Sequence, residues 1–134
     1  MLRLIGGAAI AALLLTTPAE AAQKTTAFTQ GSLSSGLAEL KRTGARTYSF
    51  RACDLGLPDG QRVVAFASFN AGGSGALQNK VQDANGTRNG CGKRRRIRVS
   101  AANARKTIFV RACLRNGPRG EIHSCGATAR LTPN

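Results

Sequence analysis

The sequence predicts an all-β fold, an antiparallel β-sandwich of the jelly-roll or immunoglobulin-like kind with two disulfides. Short runs of β-branched and small apolar residues recur about every eight to twelve residues, and turn signals rich in Gly, Pro and Asn separate them. Beyond the N-terminal segment, no run has the period of an amphipathic helix. The chain has 134 residues, 4 cysteines and few aromatic residues, so disulfides are expected to support a modest core.

The first 21 residues predict a cleavable export signal. Arg3 supplies a basic start, residues 4–15 are an apolar run, and Ala19-Glu20-Ala21 fits the small-x-small pattern of a cleavage site. The run is shorter than the roughly 20 residues that cross a bilayer, so we expect no membrane span after cleavage. We therefore predict a signal peptide over 1–21 and a single domain over 22–134, secreted or periplasmic. A retained N-terminal anchor is the alternative.

Four cysteines in an exported chain predict two disulfides, although composition alone leaves three pairings. Cys113 and Cys125 flank a tip with the sequence Asn-Gly-Pro-Arg-Gly, so a hairpin would place them opposite each other. That pairing leaves Cys53 with Cys91. A zinc site is disfavoured, because there is no Cys-x-x-Cys pair and His123 is the chain's one histidine. We expect no metal.

The sequence predicts that one architectural unit occurs twice. Phe50-Arg51-Ala52-Cys53 corresponds to Val110-Arg111-Ala112-Cys113, and Leu57-Pro58-Asp59-Gly60 corresponds to Gly117-Pro118-Arg119-Gly120. Each pair combines a strand-like run with a turn whose proline fixes φ and whose glycine admits positive φ. The expected unit is a hairpin with a disulfide. Arg51 and Arg111 are expected to pack their stems and keep their charged heads hydrated.

The strand predictions follow from apolar alternation. Residues 23–30 predict a first strand with Phe28 facing inward, and residues 37–40 predict a connector or a short strand. Residues 47–53 have the period of a half-buried strand. Residues 62–69 are apolar on both faces, which is typical of a central strand of a sandwich.

The second half continues this pattern. Asn85-Gly86 predicts a hairpin turn, because Asn-Gly is the strongest short hairpin signal. Over 94–100, Ile97 and Val99 share one face with Arg95, and the other face carries Arg94, Arg96, Arg98 and Ser100.

The charge distribution is the main functional signal. The formal net charge is +14, and no acidic residue lies between Asp83 and Glu121, where 11 basic residues fall. Such a field attracts polyanions, and guanidinium groups suit phosphate or sulfate. Solvated protection of an edge strand is the alternative explanation of this charge. We predict an anion-binding surface that includes Lys93, Arg94, Arg96, Arg98, Arg105 and Lys106.

The expected partner is an anionic polymer or an acidic protein surface. Envelope phosphates and acidic polysaccharide suit an exported cationic protein. Nucleic acid is not favoured, because the chain has one tyrosine and no tryptophan for base stacking.

From about residue 44 to residue 131, the order of these signals resembles the bacterial pre-peptidase C-terminal domain, a small extracellular β-sandwich. The resemblance rests on Thr47-Tyr48-Ser49-Phe50, on the turn and strand over 58–64, on Gly73-Ser74-Gly75-Ala76-Leu77, on 81–86 and on the closing segments 97–99 and 107–131. It implies a β-sandwich of the kind often appended to secreted peptidases. The chain departs from the family in that no peptidase precedes this domain, so we expect the domain to stand alone.

The chain departs from that family at the segment after its glycines, where acidic residues often hold calcium. Ser74, Ala76 and Gln78 occupy this segment, and no acid follows until Asp83. Calcium needs six or more oxygen ligands including carboxylates, so we predict no calcium site and no cofactor.

A catalytic function is not expected. Asp59, Asp83 and Glu121 lie at predicted turns, where such residues serve backbone hydrogen bonding. His123 and Ser124 would face opposite sides of a strand, so a serine-histidine pair is not predicted. We therefore predict a protein that is not an enzyme.

A second functional hypothesis concerns the disulfide-closed loop. A rigid loop with a basic tip suits the specificity pocket of a trypsin-like protease, because its prior rigidity lowers the ordering cost of binding. Its residues would be Arg115, Pro118 and Arg119. An ordinary hairpin tip has the same composition. A purely structural or interaction module is the third hypothesis.

Overall fold

The computed structural model of the chain describes residues 23–29, 36–55, 60–71, 79–82 and 90–134. This part of the chain folds almost entirely into antiparallel strands, with one 3-10 turn at Ala101–Asn103. The strands are β1 (Lys24–Phe28), β2 (Gly36–Arg42), β3 (Thr47–Asp54), β4 (Gln61–Ser68), β5 (Asn79–Gln82), β6 (Gly90–Cys91), β7 (Arg95–Arg98), β8 (Ile108–Asn116), β9 (Ile122–His123) and β10 (Ala129–Leu131).

The strands form two five-stranded sheets with the same plan. In sheet I the order is β1-β2-β3, and both β6 and β7 pair with β3. In sheet II the order is β5-β4-β8, and both β9 and β10 pair with β8. Every pairing is antiparallel. The predicted antiparallel β-sandwich is therefore confirmed, as is the central position of β4.

The core lies between the two sheets and is built from alternate residues of each strand. Phe50 on β3, Leu40 on β2 and Val110 on β8 are fully buried. Their neighbours in sequence, such as Ser49, point to the outer face of the same sheet, because successive strand side chains alternate. Small residues such as Ala38 fill the rest of the core, which agrees with the low aromatic content.

Both predicted disulfides are confirmed, and they occupy equivalent places. Cys53–Cys91 ties β3 to β6, and Cys113–Cys125 ties β8 to the segment after β9. In each sheet, the residue after the second cysteine donates its backbone N–H to the inner strand, Gly92 to the carbonyl of Ala52 at 2.9 Å and Gly126 to that of Ala112 at 3.1 Å. Extra residues at these points break the outer strand in two, as β-bulges do.

The repeat predicted from the sequence is therefore real in part, although it is not a repeated hairpin. Its common unit is an inner strand stapled to a broken edge strand. The chain that leaves β3 does not return beside it, because β4 belongs to the other sheet. The first tip residues, 57–59, lie outside the described residues, and Gly60 has the positive φ that was predicted. In the second tip the positive φ is at Gly117, before the proline, and not at Gly120, which corresponds to Gly60 in the sequence.

Of the two alternatives predicted for residues 37–40, the strand is correct, and it is longer than predicted. Residues 36–42 form a full strand, β2, because β1 and β3 pair with it on both sides. The inward direction predicted for Phe28 was wrong. Phe28 faces outward and is 48% exposed, since Ala27 pairs with Ala38 and enters the core instead. Strand side chains alternate, so a shift of one residue exchanges the two faces.

Gly126 provides a test of how the sheets close at one edge. A Cβ atom at this position would overlap the carbonyl oxygen of Phe28, a backbone atom that cannot swing away. We expect Gly126→Ala to lower the free energy of unfolding by about 3 kcal/mol or more, as overpacking does. Gly60→Ala is the matched control, because open space surrounds Gly60 and its positive φ costs only about 1 kcal/mol. Equal costs in denaturant titrations would contradict this packing.

Candidate anion-binding site

The outer face of sheet I carries a set of basic side chains from four strands and one connection. The register places Lys24 beside Lys41, Lys41 beside Ser49 and Ser49 beside Arg96. Neighbouring strands lie about 4.8 Å apart, so these residues form one row across the sheet. We call the following residues the basic face: Lys24, Lys41, Arg51, Arg94, Arg96 and Arg98.

One acidic residue, Glu39, lies within the basic face and joins three of its members. Its carboxylate is 3.2 Å from Arg51 Nε, 3.2 Å from Arg94 Nη1 and 3.5 Å from Lys24 Nζ. Arg51 Nη2 also donates to Glu39 Oε2 at 3.3 Å, so its guanidinium approaches both carboxylate oxygens. Arg94 Nη1 further donates to Ser49 Oγ at 3.1 Å. These contacts fix the three cations in position on the sheet.

The surroundings of Glu39 alter its ionisation. Burial leaves its side chain 9% exposed and by itself raises the pKa of the carboxyl. The hydrogen bond from Arg51 and the charges of Arg51, Lys24 and Arg94 outweigh burial and hold the pKa below its usual value. Glu39 is therefore ionised at neutral pH.

Six cations against one acid leave the basic face strongly positive. Within the described residues, Lys41, Arg96 and Arg98 are exposed and make no ion pair. Arg96 and Arg98 stand on β7, two residues apart on the same side, while Ile97 between them is buried. The alternation predicted for this strand is confirmed. Its exposed cations are free to bind an anion.

The other predicted anion-binding residues lie apart from the basic face. Lys93 is exposed in the bulge between β6 and β7. Arg105 and Lys106 lie in the connection that crosses from β7 to β8, and Lys106 Nζ sits 5.8 Å from the centre of the Phe69 ring. None of these three residues belongs to the outer rows of sheet I, and Lys106 contacts a residue that follows β4 of sheet II.

The remaining cations of the basic stretch belong to sheet II. Arg111 and Arg115 lie on β8, facing away from the core, and Arg115 Nε donates to the carbonyl of Gly120 at 2.9 Å. Pro118 and Arg119 are exposed at the tip that follows β8. The stretch is therefore divided between two faces, and Arg88 lies outside the described residues.

Three cations of the basic face were missed by the sequence analysis. Lys24, Lys41 and Arg51 lie far from the dense basic stretch and were brought to it by β1, β2 and β3. Arg51 was expected to keep a hydrated head, but it pairs with Glu39. One signal in the sequence could have identified them. Glu39 and Lys41 alternate with Ala38 and Leu40, which are buried, so the charged pair belongs to the outer face of a strand.

The basic face ends in an apolar region. We call this the apolar end, and it consists of Phe28, Leu37, Cys53, Cys91 and Leu55. The register places Phe28 beside Leu37, Leu37 beside Cys53 and Cys53 beside Cys91. Leu55 follows β3 in the same alternation and is 45% exposed. A half-open hollow of about 400 Å³ lies beside Phe28, between β1 and residues 125–129.

The structure brings His123 and Ser124 together, which the sequence analysis did not expect. His123 Nδ1 lies 2.9 Å from Ser124 Oγ, and its Nε2 lies 3.0 Å from Asn116 Oδ1. Ser124 turns towards the ring because its φ is 51°, which departs from strand geometry. In a catalytic triad a carboxylate contacts the second ring nitrogen, whereas here the Asn116 amide does so. Among the described residues, no three His, Cys, Asp or Glu side chains are grouped to hold a metal ion.

Comparison with protein-family models finds no match, and comparison with curated proteins finds no significant relative. A solved structure, the endonuclease/exonuclease/phosphatase from Beutenbergia cavernae DSM 12333, is similar over 84% of this chain with a TM-score of 0.55 and 25% sequence identity. The match spans 27% of the length of that protein. That protein is an enzyme, so the similarity does not favour the expectation that this chain lacks catalysis.

Two observations bear on location. Two disulfides are typical of proteins in an oxidising compartment outside the cytosol. Among the described residues, no helix has the length and apolar character needed to cross a membrane. The predicted signal over residues 1–21 lies outside the described residues.

The ionised state of Glu39 predicts a pH-dependent stability. Its folded pKa lies below the unfolded value of about 4.3, so its stabilising effect is present above that pH and is lost as pH falls through the folded pKa. We expect Glu39→Gln to lower the free energy of unfolding by about 1 kcal/mol at neutral pH. The difference from wild type should shrink below about pH 4.

Glu121→Gln is the matched control, because Glu121 is exposed and forms no salt bridge within the described residues. Urea titrations across this pH range measure both variants. A Glu39→Gln difference that stays constant down to pH 2 would show that the carboxylate charge contributes nothing.

The pair His123 and Ser124 predicts no nucleophilic reactivity. An amide at Asn116 carries no charge to stabilise an imidazolium, so Ser124 is not activated as in a catalytic triad. We expect no mass increase after incubation with a fluorophosphonate, measured by intact-protein mass spectrometry. Stoichiometric labelling that disappears in Ser124→Ala would reveal a reactive serine.

Proposed function

We propose that the protein is a secreted or periplasmic, non-catalytic β-sandwich that binds acidic macromolecules of the cell envelope by charge. The observation that carries the proposal is the register of sheet I. Together with the contacts of Arg94, it gathers six cations on one face, and Glu39 is the one acidic residue among them in the part of the chain that the structure describes. The proposal keeps Arg94, Arg96 and Arg98 from the sequence prediction and adds Lys24, Lys41 and Arg51.

The arrangement suits an extended anion better than a small one. The basic residues stand in rows across strands about 4.8 Å apart and therefore present several contacts along a line. Each phosphate or sulfate engaged by Lys or Arg releases bound counterions, so many weak contacts add to a salt-dependent affinity. Edge protection explains Lys24 on β1 and the cations on β7, because both are outer strands of sheet I, but it does not explain Lys41 and Arg51 on the inner strands β2 and β3.

Phosphate is the favoured anionic group. Endonucleases, exonucleases and phosphatases act on phosphate esters, and the similar structure from Beutenbergia cavernae is described as such a protein. A β-sandwich that is similar to part of such a protein is compatible with a role as an accessory module that binds phosphate. The resemblance to the pre-peptidase C-terminal domain also supports a non-catalytic accessory module, and that family assignment stays a prediction.

Elution from heparin tests the proposal. We expect the Arg96→Ser, Arg98→Ser double variant to elute at lower salt, and the slope of log affinity against log salt to fall by about 1 per cation removed. Arg130→Ser is the matched control. Arg130 is exposed on β10, an edge strand of sheet II, as Arg96 is on β7 of sheet I. The control removes one cation and the double variant two, so an equal effect per cation removed would assign binding to overall charge rather than to the basic face.

Glu39→Gln gives a second expected result in the opposite direction. Removal of the acid makes the basic face more positive, so the variant should elute from heparin at higher salt than wild type, although it is less stable. Earlier elution would show that the fixed positions of the cations, and not their charge, determine binding.

Protease inhibition through Arg119 is the second candidate function. Arg119 is exposed at the tip that follows β8. Two backbone hydrogen bonds restrain this tip. Asn116 N–H donates to the carbonyl of Glu121 at 3.1 Å, and Gly117 N–H donates to the carbonyl of Gly60 at 3.1 Å. These bonds and the Cys113–Cys125 disulfide restrain the loop before it binds. Titration of trypsin with the protein and with Arg119→Ala tests this function, which is wrong if neither slows the enzyme.

A further inference from the structure

The apolar end and the basic face form one continuous outer surface of sheet I. Among the described residues, Phe28 and Leu55 are the exposed large apolar side chains, at 48% and 45% exposure. Both lie at the same end of this surface, around Leu37 and the Cys53–Cys91 disulfide. Single exposed apolar residues are common. Two of them at one end of a charged face form an apolar patch, and such patches mark interaction sites.

We infer that this surface docks on an anionic phospholipid bilayer, with the basic face on the headgroup phosphates and the apolar end in the interface. The inference rests on the proposed function and names its partner as a lipid surface. Charge complementarity supports it, because phosphate headgroups offer a plane of negative charge to Lys41, Arg96 and Arg98. A soluble polyanion would leave Phe28 and Leu55 in water.

The dimensions agree with this partner. Lys24 and Phe28 are four residues apart on β1, which is about 13 Å along a strand. Amphipathic surfaces bury their apolar part about 5–10 Å into the boundary between headgroups and acyl chains. A tilted sheet would therefore bring Phe28 into this boundary while Lys24 stays among the headgroups.

The hollow beside Phe28 extends the apolar end inward. Small side chains line it, including Ala27, Ala127 and Ala129, along with Thr26 and Thr128. It offers space next to an exposed aromatic ring, where part of an acyl chain has room to lie.

A tryptophan reporter tests the inference, because the chain contains no tryptophan. Phe28→Trp should show a blue shift of its emission with vesicles of phosphatidylcholine and phosphatidylglycerol, and no shift with phosphatidylcholine alone or with heparin. Phe109→Trp is the matched control. Phe109 is half-buried on the outer side of sheet II, so its reporter should not respond.

Binding measurements complete the test. In vesicle co-sedimentation, Phe28→Ser and Leu55→Ser should each weaken partition about tenfold, since burial of such a side chain gains about 1.5–3 kcal/mol. Phe28→Leu should bind as wild type, and all three should elute normally from heparin. Arg96→Ser should weaken partition about fivefold, as expected for one cation at a charged surface.

Three outcomes would overturn the inference. Vesicle binding that is unaffected by Phe28→Ser and Leu55→Ser would reduce it to charge alone and leave the proposed function intact. A blue shift of Phe28→Trp that depends on protein concentration without vesicles would show that a second copy of the chain covers the apolar end. Binding to heparin with no vesicle binding would exclude a lipid surface. If the wild-type protein binds neither heparin nor vesicles, the proposed function is wrong as well.

Discussion

The register of sheet I is the constraint on which the candidate site depends. Buried Ala27, Ala38 and Ala52 stand side by side on β1, β2 and β3, and this row fixes which residues face the core. A slip of one residue on β2 would turn Glu39 inward and bury an unpaired carboxylate at a cost of several kcal/mol. The small core residues therefore determine the charge of the outer face. Glu39 then holds Lys24, Arg51 and Arg94 in place.

The two sheets show how one scaffold produces two different surfaces. Leu37 beside Cys53 in sheet I corresponds to Val64 beside Cys113 in sheet II, and Glu39 beside Arg51 corresponds to Phe66 beside Arg111. The disulfides and bulges are therefore shared, while the neighbour of the repeated arginine differs. An acid organises a cationic cluster in sheet I, whereas an aromatic ring faces the arginine in sheet II. Shared architecture therefore does not imply shared binding.

The sequence predicted what depends on local pattern and missed what depends on pairing. The alternation of Ile97 and Val99 with Arg96 and Arg98 placed β7 correctly, and the hairpin at residues 106–131 identified both disulfides. Phe28 was assigned to the core because it is larger and more apolar than Ala27, yet Ala27 pairs with buried Ala38 and Phe28 therefore falls on the outer side of β1. The cations on β1, β2 and β3 come from distant parts of the chain, so no window of sequence contains them together with Arg96. His123 and Ser124 meet only because the backbone leaves strand geometry at Ser124.

Nuclear magnetic resonance measures most directly whether acidic ligands bind to one face or to the whole cationic protein. Titration of the isotope-labelled protein with a short heparin oligosaccharide follows each backbone amide. Shifts concentrated at Lys41, Ser49 and Arg96, with the amides of Arg111 and Arg130 unchanged, are expected if sheet I carries the site. Shifts of equal size on both sheets would contradict it.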